Sequence, residues 1–188
     1  MRPPGPTASA GEPPEATLSR FVATTEELLA VLRARLAQHR RFEVRLPYGP
    51  MDWTVFVLHG FWDSWLHERD VLLPWGTGHP TDGDATGYAA AYGVFIAAAV
   101  ASMFGDPVRQ KLTLGGDGGG VFDLERRGAV TLTVTRLATA GPPAAQVTDA
   151  LAGRAPTSAV LGDLPASTRT ALSHLADFFN TPAGQRPA

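Results

Sequence analysis

The stretch Asp52–Pro74, DWTVFVLHGFWDSWLHERDVLLP, decides how the rest of the chain is read. Trp53, Val55, Phe56, Val57, Leu58, Phe61, Trp62, Trp65, Leu66, Val71 and Leu72 crowd it with apolar and aromatic side chains. Asp52 stands where a helix N-cap belongs, and Pro74 with Gly76 forms a stop signal. The pattern predicts one helix over Trp53–Leu73. Within it His59, Asp63 and His67 follow at i, i+4 steps, and Asp70 comes three residues later. At 3.6 residues per turn all four project along one stripe.

Upstream, Thr17–Arg41 reads as a helix, because Leu18, Phe21, Val22, Leu28, Leu29, Leu32 and Leu36 recur at helical spacing. Thr24 or Thr25 before Glu26 and Glu27 is a competing internal start. Residues 1–16 hold five prolines and predict a disordered arm. Phe42–Met51, with Pro47, Gly49 and Pro50, reads as a linker or turn. Downstream, Trp75–Thr86 reads as a loop. An alanine-rich helix is predicted from about Ala85 to Phe104, stopped by Gly105 and Pro107.

Beyond Pro107 the texture changes. Gln110–Leu114, Val121–Leu124 and Ala129–Leu137 read as strands, with a flexible glycine-rich hairpin loop at Gly115–Gly120 and a turn at Glu125–Gly128. Ala145–Gly153 predicts a short helix, Ala159–Gly162 a short strand and Leu164–Phe179 a last helix. The expected layout is α+β: an arm over 1–16, a helical part over 17–106, and a small α+β part over 107–182.

Composition narrows the classes. A formal net charge of -2 and no long basic block argue against an electrostatic nucleic-acid partner. There is no cysteine, which excludes disulfides and thiolate metal sites, so any thiol chemistry must use a thiol brought by a cofactor. The N-terminus lacks a signal-peptide core, and the apolar run around Ala97–Ala101 reads as too short to span a bilayer. The expectation is a cytoplasmic protein with no membrane partner.

The stripe carries the candidate chemistry. Imidazole and carboxylate at i, i+4 can share a divalent ion, so Asp63 with His67 is one metal pair and His59 with Asp63 the competing one. His59 and His67 lie about 12 Å apart along the axis and cannot both bind the same ion. Either pair needs a ligand from another element. The ordinary alternative is a polar face, in which Asp63 accepts a bond from an indole N–H of Trp62 or Trp65 and Asp70 pairs with Arg69. The flanking aromatics favour burial, which predicts that Asp63 and His67 point into one inner polar pocket. Arg154, after Gly153, suits either a bidentate hold on a substrate carboxylate or a helix-end cation. The serines lack a nucleophile-elbow context.

Phe61-Trp62-Asp63-Ser64-Trp65-Leu66-His67-Glu68-Arg69-Asp70 resembles the metal-binding helix of the mycothiol-dependent maleylpyruvate isomerase family, a branch of the DinB-like helical bundles. Asp63, His67 and Asp70 match its acid, His and Asp in order and spacing, with Asp63 in place of the usual Glu. Val147–Arg154 and Val160–Asp163 resemble the small sterol-carrier-like C-terminal domain of the same family. The resemblance spans roughly residues 20–180. It implies a partial DinB-like bundle followed by a sterol-carrier-like domain.

The same resemblance implies zinc on Asp63 and His67; His59 remains a further metal candidate from its spacing alone, and Arg154 a candidate catalytic residue from its place after Gly153. The zinc would activate mycothiol as a thiolate for isomerisation of, or transfer to, a small electrophilic substrate. Family members carry another His ligand on an earlier helix. This chain reads as beginning after that helix, and His39, the one upstream histidine, sits at a helix end. The alternative expectation is a non-catalytic, degenerate member acting as a small-molecule-binding or interaction module. A homodimer is compatible with either.

Overall fold

The structure, a computed structural model, describes residues 11–46, 49–76, 83–103, 105, 109–127, 129–136, 140–162 and 164–181. By internal contacts the chain divides into two compact units, Met1–Phe42 and Glu43–Ala188.

The first unit is built on α1 (Pro14–Ala37). Proline in the first helical turn forfeits no intrahelical bond and brings a suitable φ, so the helix starts inside the expected arm. Most of that arm, residues 1–10, lies outside the described residues. Glu12 braces the start by accepting from Arg20 Nη2 at 2.7 Å and Thr17 Oγ1 at 3.1 Å. The helix stops short of Arg41 because His39 turns into the left-handed region, at φ 49. No residue of α1 is buried.

The second unit opens with a correction. Phe42–Met51, expected as a linker or turn, carries instead most of an antiparallel pair of strands, β1 (Glu43–Leu46) and β2 (Gly49–Asp52), with Glu43 opposite Asp52 and Leu46 opposite Gly49. A two-stranded ribbon has only edge strands, which is where Pro50 is tolerated. Asp52 then caps α2 (Trp53–Leu72) as its sequence predicts, its Oδ1 accepting from Thr54 N at 3.0 Å. Leu73–Trp75 tighten into a 3-10 turn ended by Gly76 at φ 68.

α3 (Gly83–Met103) is the central helix. It packs against α2, against the strands β4 and β5, and against the helices α4 and α6, whose ranges follow. Its alanines let these neighbours approach closely while Tyr92, Val94, Ile96 and Val100 fill the spaces between. By length and composition α3 is long and apolar enough to cross a membrane, contrary to the short run expected; here most of that surface is buried in the core.

A three-stranded antiparallel sheet follows, in the order β3 (Arg109–Leu114), β4 (Gly120–Arg127), β5 (Ala129–Thr135). Leu112 pairs with Phe122 and Leu124 with Leu132. Leu112, Leu114, Phe122 and Leu124 are buried, as period-2 alternation requires of one sheet face. β4 continues through 125–127, which the sequence suggested as a turn.

The loop expected to be flexible is packed. Gly118 has φ 75, and a Cβ there would overlap the backbone nitrogen of Gly87 in α3. Arg136 Nη1 donates to the Gly118 carbonyl at 2.9 Å. Its guanidinium lies where a side chain at Gly87 would have to sit. Small residues on both surfaces therefore let the hairpin turn close onto the helix.

α4 (Ala144–Leu151), α5 (Thr157–Val160) and α6 (Ala166–Asn180) complete the unit. The strand expected at Ala159–Gly162 is instead the end of a helical turn, with Leu161 N bonded to Thr157 O at 2.8 Å. So short an apolar run carries no period that separates the two. One hydrophobic core joins Trp62, Trp65 and Leu66 to Ile96, Phe122, Val147, Leu172 and Phe178. The change of texture near residue 106 thus marks a change of secondary structure, and residues on its two sides share a single core. The class is α+β.

Candidate functional site

α2 turns Trp62, Trp65 and Leu66 inward, all buried. At about 100° per residue, Asp63, His67 and Asp70 fall roughly a quarter turn or more from that face. They stand in solvent, with the His67 and Asp63 side chains 65% and 57% exposed. The expected inner polar pocket is therefore corrected. Burying indoles removes a large apolar area at little polar cost, whereas burying this stripe would desolvate charge, so the tryptophans take the inward positions.

His67 lies between two carboxylates, its Nε2 3.5 Å from Asp63 Oδ1 and its Nδ1 3.5 Å from Asp70 Oδ2. His59 sits nearer the edge of the inward face and is half-buried. Its Nδ1 is 2.8 Å from the Tyr92 hydroxyl on α3, and its ring centroid is 5.7 Å from that of Tyr92. The histidine thus joins two helices. Trp62 Nε1, suggested as a donor to Asp63, is buried beside Gly93 with no hydrogen-bond partner among the described residues.

Arg69 and Asp70 reach away from each other to the α4 region. Arg154 Nε and Nη2 donate to the two oxygens of Asp70 at 2.8 and 2.7 Å. Arg69 Nε and Nη2 donate to the two oxygens of Asp149 at 3.1 and 2.5 Å. Adjacent residues of opposite charge on α2 thereby make two bidentate pairs, one to α4 and one to the loop after it. Arg69 also lies 4.7 Å over the Trp65 ring. Hydrogen bonding from Arg154 holds the Asp70 carboxyl below the usual carboxylate range, against the opposing effect of burial. The bond to Asp70 in turn raises the Arg154 guanidinium.

No protein-family model, curated protein or solved structure matches this chain.

Its own geometry must therefore carry any reading. A catalytic zinc takes about three protein ligands and an open position. Asp63 and His67 offer two from one exposed helix face, while Asp70 is held by Arg154 and His59 bonds Tyr92. Among the described residues no three His, Asp or Glu side chains are grouped to hold a metal ion. The residues present do not fit the zinc that the resemblance implies. Arg154, read from sequence as either a holder of a substrate carboxylate or a helix-end cation, holds the carboxylate of Asp70. It also borders a groove of about 350 Å³ lined by Thr157, Asp177 and Asn180 among others. A second groove, of about 320 Å³, shares Thr157 and Asp177 with it and is lined further by Ser173 and His174.

Tyr92 and Asp149 are the partners that sequence reasoning missed. Each lies tens of positions from the residue it meets, and only the tertiary fold, with α2 and α4 both packed on α3, brings them there.

Proposed function

We propose that the chain is a non-catalytic binding module, similar in plan to the mycothiol-dependent maleylpyruvate isomerases but without their metal chemistry. The observation that carries this reading is the bidentate Arg154–Asp70 pair. The motif's last acid and the arginine assigned to substrate are bonded to each other, and with Arg69–Asp149 they clamp α2 to the α4 region. The residues that resemble a site serve the fold. The polar groove beside Arg154 has the volume of a small-ligand site and is the place where a small polar molecule would bind.

Metal content after dialysis tests this reading. Zinc is expected well below one per chain, and His67→Ala is expected to leave both the residual zinc and the melting temperature unchanged. One tightly held zinc per chain, lost in His67→Ala, would overturn the proposal and restore the zinc- and mycothiol-dependent isomerase or thiol-transferase reading.

A further inference from the structure

The groove beside Arg154 and its neighbour share Thr157 and Asp177, so the two form one trough, lined wholly by the Glu43–Ala188 unit. One wall is a polar stripe of α6, where Thr170, Ser173, Asp177 and Asn180 recur three and four residues apart. The opposite face of α6 buries Leu172, Leu175 and Phe178 in the core. The other wall is the segment 153–158, which meets α6 where Ser173 Oγ lies 3.4 Å from Thr157 Oγ1. At one end the Asn180 amide oxygen lies 3.1 Å from where a Cβ at Gly153 would sit, so the glycine leaves room for that amide.

The charges in this lining differ in what they already hold. Arg154 donates Nε and Nη2 to Asp70 at 2.8 and 2.7 Å. Arg169 Nη1 donates to the Gly162 carbonyl at 2.7 Å. The Asp177 carboxylate, common to both grooves, makes no ion pair or side-chain hydrogen bond among the described residues. It stands exposed, with two oxygens that can only accept. Around it the hydroxyls of Thr157, Ser158, Thr170 and Ser173 and the amide of Asn180 both donate and accept. An acceptor that carries charge suits a cation, and its neighbours suit hydroxyl groups. An anion would have to displace Asp70 from Arg154 and face Asp177. An apolar ligand would take water from these groups and return no hydrogen bond.

We infer that the trough between α6 and residues 153–158 binds a small hydroxylated amine of the amino-sugar class, its ammonium on Asp177 and its hydroxyls on Thr157, Ser173 and Asn180. This rests on the reading of the groove beside Arg154 as the binding place.

Glucosamine, glucose and glucuronate set a cation, a neutral group and an anion on one ring scaffold. Each is titrated into the full, isotope-labelled chain at about pH 6, where the amine is protonated. Glucosamine should shift the backbone amides of Thr157, Ser173, Asp177 and Asn180, with a Kd on the order of millimolar. Solvent screens the ion pair, so glucosamine should bind only about two- to fivefold tighter than glucose, and glucuronate should bind weakest. Asp177→Asn keeps the shape of an exposed side chain and removes its charge. It should bring glucosamine down to the affinity of glucose and leave glucose unchanged. Equal binding of glucosamine and glucose in the wild type overturns the inference, as does a tighter glucuronate or a glucosamine preference that survives in Asp177→Asn. Each of these outcomes leaves the groove standing as the binding place. Shifts at none of these amides with any of the three sugars also overturn the inference. The binding-module reading falls separately, on one tightly held zinc per chain.

Discussion

Arg69 and Asp70 show how burial separates two pairs of the same chemistry. Arg69 and Asp149 are 11% and 19% exposed, whereas Arg154 and Asp70 are 29% and 45% exposed. Asp149→Ala leaves a largely buried guanidinium without its carboxylate and is expected to cost about 2–4 kcal/mol, read from urea midpoints. Asp70→Asn is expected to cost no more than about 1 kcal/mol, because solvent screens the pair. The folded-state Asp70 carboxyl titrates below its ordinary value of 3.8. Its contribution is therefore full above that value and is lost as pH falls through the depressed one. The melting-temperature gap between wild type and Asp70→Asn should be present at neutral pH and shrink on strong acidification. A gap that widened on acidification would reverse the assigned sign. The residue types of this cluster were legible in the sequence. Its pairings were not, because Asp70 and Arg154 stand far apart in the chain and no periodicity links them.

Among the elements, those with a local cause followed the sequence. Asp52 caps α2 because its side chain reaches Thr54 N two residues on, and the alternation of Val130, Leu132 and Val134 makes β5. The hairpin of β1 and β2 was hidden because Pro47, Gly49 and Pro50 signal a turn equally well within a ribbon and between elements. The glycine-rich turn was read as loose because glycine marks freedom and close approach alike. At Gly118 the second meaning holds, since a Cβ would overlap Gly87 and the backbone is left-handed at φ 75. Gly118→Ala is expected to lose about 2 kcal/mol or more in thermal unfolding. Gly76→Ala, with φ 68 but nothing within 4 Å of a Cβ, should lose only about 1 kcal/mol. Equal losses would show that conformation alone sets the cost.

For the whole molecule, every residue of the hydrophobic core belongs to the Glu43–Ala188 unit. A chain of residues 43–188 is therefore expected to melt cooperatively and to keep the near-ultraviolet signal of its tryptophans, all of which it retains. A molten 43–188 chain would show instead that the first unit is needed for the core. The amino-acid sequence by itself determined the α+β class, the long helix at Trp53, the cap at Asp52, and the presence of an acid–His–Asp stripe, because caps and periodicities act over a few neighbouring residues. Tertiary structure alone decided that the stripe faces water, that Arg154 holds Asp70 and that His59 bonds Tyr92. Which face of a helix turns inward depends on the surface offered by its partners, and α3 and α6 offer Tyr92 and Phe179 to Trp62.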